Sequence, residues 1–153
     1  MQDNYQIDKV DKEILTYLLN DARIPYLEIA RNLIVSGGTI HQRIEKMKDA
    51  GIIQGSSIQL NLSALGYDVT VFLGVHLKSS KELPKVIKKL KTYPEVLEAH
   101  YTTGTYALLL KISTHTITDF HKFLINKLQS IEEVQSTESF ISMDQPINRG
   151  ISF

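Results

Sequence analysis

The spacing of the apolar residues changes near residue 62, and this change constrains the fold more than any other feature of the sequence. Before it, apolar residues recur at helical spacing in three short segments. After it, segments that alternate every second residue are interleaved with segments of helical spacing. The sequence therefore predicts an α+β protein, with a helical N-terminal domain over residues 1–62 and a mixed domain over residues 69–153.

The first 50 residues predict three helices in a helix-turn-helix arrangement. A helix over 9–20 follows Asp8 as its N-cap, and a second helix starts near Pro25. A third helix begins after the N-cap Ser36 and stops at Gly51. The residues of this third helix that we expect to face the core are Ile40, Ile44 and Met47.

A short segment after the third helix is expected to be the wing of a winged helix. Residues 52–60 carry Gly55, Ser56 and Ser57 at their middle, a pattern that predicts a small β-hairpin. Residues 63–68 follow as a hinge between the two domains, with Gly66 as its pivot.

The second domain predicts a ferredoxin-like βαββαβ order. Strands are expected over 69–78, 96–103, 106–112 and 134–143, with helices around residues 83–90 and 117–131. Val69, Val71, Leu73, Val75 and Leu77 share one strand face, and Tyr106, Leu108, Leu110 and Ile112 share another. Phe72, Ala107 and Leu109 make the opposite face of these strands apolar as well. Two helices cover one side of such a sheet, so we expect a second subunit on the other side and at least a dimer. The tail from residue 144 is expected to pack on a neighbour.

The composition of the chain excludes several kinds of site. The chain has no cysteine, which excludes disulfides, thiolate metal sites and a cysteine nucleophile. Its histidines show no metal-ligand spacing, so we expect neither a metal nor a cofactor. The sequence has no signal-peptide pattern and no apolar run long enough for a membrane helix, and we expect a cytoplasmic protein without a membrane partner. The lysines at 85, 88, 89 and 91 fit either a nucleic-acid patch or the solvated face of a helix.

The third helix holds the residues that suit DNA. In a helix-turn-helix, the N-terminal residues of the second helix enter the major groove. A glutamine pairs with adenine, an arginine with guanine or phosphate, and hydroxyl or basic groups bind the backbone. The candidate DNA-binding residues are Ser36, Thr39, His41, Gln42, Arg43 and Lys46. The charge of the chain does not favour DNA binding, because the whole chain is neutral and residues 1–62 hold seven Lys/Arg against eight Asp/Glu.

Several motifs resemble the Lrp/AsnC (feast/famine) regulators. They are IDKVDKEIL at 7–15, DARIPYLEIA at 21–30, SGGTIHQRI at 36–44, GII at 51–53 and GYD at 66–68. The resemblance covers nearly the whole chain and implies a sequence-specific regulator of transcription, not an enzyme, whose partner is double-stranded DNA. It also implies a dimer and an octamer of four dimers. One departure is Gly37, where the family often has proline, and a glycine loosens the start of a helix.

The resemblance also implies an amino-acid effector. The segments YTTG at 101–104, LINKLQ at 124–129 and QSTE at 135–138 look like those of the asparagine-responsive members of the family. Five residues would line the effector pocket: Tyr101, Thr102, Gly104, Gln129 and Ser136. Gln129 suits an amide side chain, which favours asparagine or glutamine. Many relatives carry an acidic residue where this chain has Ala107, so the ligand stays open at this point.

Three other functions compete with this hypothesis. The first is an effector-independent, chromatin-like DNA-binding protein of the same family. The second is an enzyme, since ferredoxin-like folds also host catalysis, but it would need a convergent set of acid, base or metal ligands that the sequence does not supply. The third is an interaction module that no longer binds DNA, which the nearly neutral first domain favours.

Overall fold

A computed structural model describes residues 5–153, which form two compact units. The first unit extends to Gln59 and includes the C-terminal segment Ile147–Phe153. The second unit is Leu60–Pro146. The domain boundaries at 62, 63–68 and 69 that we expect from the sequence remain a prediction.

Three helices build the first unit, which we call the head. They are α1 (Lys9–Asn20), α2 (Tyr26–Leu33) and α3 (Gly37–Asp49). Asp8 caps α1 and forms a reciprocal capping box with Asp11, and Ser36 caps α3 by accepting the Thr39 N–H. The predicted helices and both N-caps are confirmed.

The head encloses a small hydrophobic core where the three helices meet. Ile14 and Ile29 are fully buried and contribute to it from α1 and α2. The inward residues of α3 are also buried, as predicted: Ile40, Ile44 and Met47. This packing leaves the intervening residues of α3 at the surface of the head.

The segment after α3 does not form the expected hairpin. Within residues 5–153, every paired strand lies in the second unit, and Ile52–Leu60 is extended and unpaired. Ile58 and Leu60 are 70% and 58% exposed, so no apolar surface packs on these side chains of the segment. An isolated two-stranded hairpin is only marginally stable in water, and the hairpin prediction was therefore wrong for this chain.

The second unit has the predicted βαββαβ order. Its elements are β1 (Val69–Leu77), α4 (Leu83–Leu90), β2 (Val96–Tyr101), β3 (Leu108–Thr114), α5 (Ile117–Phe123) and β4 (Val134–Ile141). A single-turn π-helix, Leu124–Leu128, extends α5. The four strands pair antiparallel in the order β2-β3-β1-β4. This is the strand order of a ferredoxin-like sheet.

The helices cover one face of this sheet and leave the other open. Val71, Leu73 and Val75 of β1 are fully buried, and α4 and α5 supply Val86 and Phe123 to the same core. On the opposite face the apolar side chains remain accessible to solvent. Phe72 and Phe140 are each 46% exposed, and Leu109 is 39% exposed. We call this surface the open sheet face.

No helix within residues 5–153 is both long enough and apolar enough to cross a membrane.

Candidate functional site

The turn between α2 and α3 is made by a residue in an unusual conformation. Ile34 ends α2 with φ 56° and ψ 44°, in the left-handed region. Its N–H and that of Val35 bond back to the carbonyls of Arg31 and Ala30, which closes the end of α2. The side chain of Ile34 is 93% exposed. A β-branched residue is strained in this region, so the turn stores conformational energy at the point that orients α3.

Hydroxyl groups organise the first turn of α3. Ser36 Oγ lies 3.1 Å from the Thr39 N–H that it accepts and 2.8 Å from Thr39 Oγ1. Both predicted residues therefore serve the N-cap in this structure. The free N–H groups and the positive end of the helix dipole at this position favour a phosphate.

The outward surface of α3 carries three of the predicted DNA-binding residues. His41, Gln42 and Lys46 are exposed, and the His41 ring lies 6.1 Å from the Tyr26 ring of α2. One turn further, Lys48 binds Glu45 at 2.8 Å, which neutralises an acidic group that faces the same surface.

Arg43 differs from these three because its partly exposed guanidinium binds two carboxylates at the start of α1. Nη1 donates to Asp11 Oδ1 at 2.9 Å and to Asp8 Oδ2 at 2.8 Å. The hydrogen bond to Asp11, followed by the one to Asp8, raises the pKa of Arg43 above its ordinary range. The Asp11 N–H and Arg43 together lower the pKa of the Asp8 carboxyl. No local pattern signals this ion-pair network, since Arg43 is more than 30 positions away from both carboxylates in the chain.

The predicted effector residues lie at one end of the sheet. Strand pairing aligns Tyr101 with Leu108, Leu108 with Val75, and Val75 with Thr137 in one row across all four strands. Tyr101 is 64% exposed at the end of β2, and the loop that contains Thr102 and Gly104 extends beyond this row. Within that loop the Thr102 hydroxyl donates to the Tyr106 carbonyl.

The other two predicted effector residues lie at the opposite edge of the same end. Gln129 follows the π-helical turn, and its Nε2 donates to Thr137 Oγ1 at 3.2 Å, beside the exposed Ser136 of β4. Three strand intervals separate Tyr101 from Ser136, which is about 14 Å at the usual spacing. A free amino acid cannot bridge that distance. Within one chain, the five residues therefore form two separate groups.

Tyr106 lies on the open sheet face. Alternation along the strand predicted it on the core face with Leu108, and this was wrong because β3 begins only at Leu108. The Tyr106 ring instead lies over Gly74, where a Cβ would come within 2.5 Å of it. The Tyr106 hydroxyl donates to Glu138, and this hydrogen bond raises the pKa of Tyr106. Neither the bond to Glu138 nor the close approach at Gly74 was predicted from the sequence.

Two further observations concern sites away from these residues. Within residues 5–153 no group of three His, Asp or Glu side chains is arranged to hold a metal ion. A cavity of about 410 Å³ in the second unit is lined by residues that include Tyr67, His115 and Lys127, and by none of the five predicted effector residues.

Comparison with known proteins relates both units to regulators. Residues 7–54 match the model of a winged helix-turn-helix DNA-binding domain, and residues 70–151 match the Lrp/AsnC ligand-binding domain. The regulatory protein AsnC from Haemophilus influenzae is 52% identical over 147 residues, covering 96% of this chain and 98% of that protein. Such relatives are regulatory proteins rather than enzymes.

Solved structures agree with this relationship. The structure of Escherichia coli AsnC superposes with a TM-score of 0.92 at 47% identity, covering 96% of this chain and 99% of that one. A transcriptional regulator from Neisseria meningitidis, solved in complex with L-Met, has the same fold, with a TM-score of 0.89 at 23% identity over 94% of both chains. This chain therefore belongs to the Lrp/AsnC family of transcriptional regulators and combines a DNA-binding helix-turn-helix domain with a ligand-binding domain.

Proposed function

We propose that this protein is a homo-oligomeric regulator whose DNA binding responds to asparagine. The observation that carries the proposal is the separation of the effector residues into two groups at one end of the sheet. A complete pocket then requires two copies of the chain, so that ligand binding depends on how the copies are assembled.

In this proposal α3 contacts DNA through its exposed residues. Gln42 contacts a base in the major groove, while Lys46 and His41 contact phosphates. Ser36 and Thr39 contact a phosphate through their paired hydroxyl groups at the start of α3, where the positive end of the helix dipole also favours a phosphate. Arg43 differs from the sequence-based expectation, because its bonds to Asp8 and Asp11 give it a positioning role rather than a base contact.

The effector pocket in this proposal is shared between copies. One copy supplies the loop with Tyr101, Thr102 and Gly104, and another supplies Gln129 and Ser136. The loop offers backbone amides and hydroxyls for the carboxylate of an amino acid. Gln129 can exchange its bond to Thr137 for a bond to an amide side chain, which favours asparagine. The relative solved with L-Met supports an amino acid as the class of ligand.

The link between the two functions is a shift in assembly. Two copies pack through the open sheet face to form a dimer, and dimers join at the sheet ends where the effector pockets lie. A ligand that binds one arrangement more tightly than another changes the spacing of the heads, and the affinity for DNA changes by the same coupling free energy. We place this regulator in the cytoplasm, where DNA and free amino acids meet.

Calorimetric titration with asparagine tests the effector, with glutamine, leucine and lysine as competing ligands. We expect saturable heat with asparagine that is lost in Gln129→Ala and kept in Gln135→Ala, a matched change at another exposed glutamine of this sheet end. Light scattering checks that both variants keep the wild-type oligomer. Absence of heat and of displacement for asparagine, in an intact oligomer, would reject the asparagine assignment.

Selection of duplexes from a random pool tests DNA binding. We expect Gln42→Ala to relax the preference at one base position and to weaken binding by about 1–3 kcal/mol, as for the loss of a bidentate base contact. Lys46→Ala should weaken all duplexes alike. Gln59→Ala, outside α3, is the control and should leave the selected sequence unchanged. A selected sequence that is the same for Gln42→Ala and the wild type would exclude Gln42 as a base contact.

A further inference from the structure

The segment around α4 concentrates the positive charge of the protein. Residues 78–91 contain six lysines and one acidic residue, Glu82, which gives a net charge of +5 in a chain whose total is zero. The rest of the sequence, taken as a whole, therefore has a negative net charge. Such a local excess creates a potential that an average over the chain conceals.

These lysines lie on the solvent side of α4. Val86 and Leu90 of this helix are buried against the sheet. At 100° per residue, Lys85 and Lys88 lie on the opposite side of α4, with Lys89 beside them, and Lys81 lies just before α4 in the 3₁₀ turn Ser80–Glu82. All four lysines are exposed. We call this surface the α4 lysine face.

Most of this charge is uncompensated. Lys85 binds Glu82 at 2.9 Å and lies 3.8 Å from Glu133. Lys81, Lys88 and Lys89 form no ion pair with any residue in the described range 5–153. The ordinary interpretation of such a helix is a solvated surface, but three free ammonium groups on one side are also what a polyanion needs.

The head differs from the α4 lysine face in its balance of charge. Arg43 is bound to Asp8 and Asp11, Lys48 to Glu45, and Lys9 lies 3.9 Å from Glu13. Four of the seven Lys and Arg residues in this domain form no ion pair within the described residues, but eight Asp and Glu residues give residues 1–62 a net charge of −1. Affinity for DNA depends largely on phosphate neutralisation, which the head alone supplies poorly.

We propose that the α4 lysine face is a second DNA-binding surface that contacts the phosphate backbone without sequence preference. This inference rests on the proposed function, since it requires that the protein binds DNA. Lys81 and Lys88 are seven residues apart, about 11 Å along the 3₁₀ turn and the helix that follows it, which matches about three phosphates of one strand. Lysine is a flexible point charge, and it therefore suits backbone contacts rather than base recognition.

Acylation of lysines in the wild-type protein tests the contact without any substitution. The full-length protein is treated with an acetylating reagent, alone and bound to a 150-bp duplex, and the modification of each lysine is measured by mass spectrometry. We expect Lys88 and Lys89 to be protected by DNA together with Lys46 of α3. Protection of Lys46 alone would overturn the inference and keep the proposed function, whereas protection of neither would contradict DNA binding itself.

Salt dependence provides the second test. The triple variant Lys81→Gln, Lys88→Gln, Lys89→Gln should bind the long duplex more weakly than the wild type. The slope of log K against log salt should fall by about 0.9 for each phosphate that the variant no longer neutralises. The matched control replaces the same three lysines by arginine, which keeps the charge and should keep the wild-type slope. A glutamine variant with the wild-type slope and affinity would overturn the inference, as would an arginine variant as weak as the glutamine variant.

Discussion

Arg43 of α3 donates a hydrogen bond of 2.9 Å to Asp11 of α1, a carboxylate that is only 1% exposed. Asp11 also accepts from the Tyr5 hydroxyl at 3.0 Å and from the Asp8 N–H at 3.1 Å. This network joins the start of α1 to the middle of α3, next to Gln42. The arginine therefore fixes the orientation of the helix that we propose to enter the major groove.

Removal of this arginine should destabilise the head. Arg43→Met keeps the length of the side chain but leaves Asp11 buried without its counter-charge. Loss of one partner of a buried pair costs about 3–5 kcal/mol, and the partial exposure of Arg43 reduces the expected loss to about 2–3 kcal/mol. Native-state hydrogen exchange of the head amides in the full chain measures it. Lys46→Met, an exposed change one turn away, is the control, and equal effects of the two variants would contradict the role of the pair.

Acid should weaken the head through Asp8. Because the folded-state pKa of Asp8 is lowered, the unfolded chain binds protons more readily than the folded chain. The stability from this group is present above its ordinary pKa of 3.8 and is lost as the pH falls through the lower folded value. Asp8→Asn keeps an N-cap side chain, and it should flatten the dependence of head stability on pH below 4. Exchange rates measured at several pH values test this, with Asp49→Asn as a control for removing one carboxylate. An unchanged pH dependence in Asp8→Asn would reject the assignment.

The strained turn at Ile34 predicts a stabilising substitution. An L-residue in the left-handed region costs about 1–2 kcal/mol, and the 93% exposed side chain loses no packing when it is removed. Ile34→Gly should therefore stabilise the head by about 1 kcal/mol after the entropy cost of glycine. Ile34→Ala, which removes the side chain but keeps a Cβ, should gain little of this. If alanine stabilises as much as glycine, the backbone strain is not the cause.

Local patterns predicted those parts of the fold that depend on neighbouring residues. The periodicity of Ile40, Ile44 and Met47 identified the buried side of α3, and the capping preferences of Asp8 and Ser36 identified two helix starts. The same reasoning led to the βαββαβ order. Each of these signals comes from residues that are close in the chain.

Features that depend on distant residues were not predictable. Arg43 suits DNA by its chemistry, and only the fold shows that Asp8 and Asp11 bind it. Tyr106 follows the alternation of β3 in the sequence, but the absence of a side chain at Gly74 lets it lie on the other face. The effector residues were named from a resemblance, and their division between two edges of the sheet required the strand order.

The contact between Gly74 and Tyr106 predicts a large effect of a small substitution. Gly74→Ala would place a methyl group 2.5 Å from the Tyr106 ring and should displace the ring from the sheet. Overpacking of this kind costs about 1–3 kcal/mol. In the Tyr106→Ala background, Gly74→Ala should lower the free energy of unfolding by less than it does in the wild type, because the ring that the methyl group would meet is absent. Gly104→Ala is the control for a glycine of the same unit with space around it, since its nearest neighbour would be 4.0 Å away. Urea unfolding of the second unit measures these effects, and a fully additive double variant would contradict the clash.

The open sheet face predicts which substitution separates the proposed dimer. Phe72 and Phe140 are directly paired across β1 and β4, and each is 46% exposed, so a second copy would bury both. Phe140→Glu places a charge in that contact, where it would lack a partner and lose its hydration. We expect this variant to sediment as a monomer at concentrations where the wild type is at least a dimer. Ile125→Glu is the matched control, because Ile125 is equally exposed, at 47%, but lies on the helical layer. It should keep the dimer even if larger assemblies dissociate. A dimer that survives Phe140→Glu and dissociates with Ile125→Glu would place the subunit contact on the helices instead of the sheet.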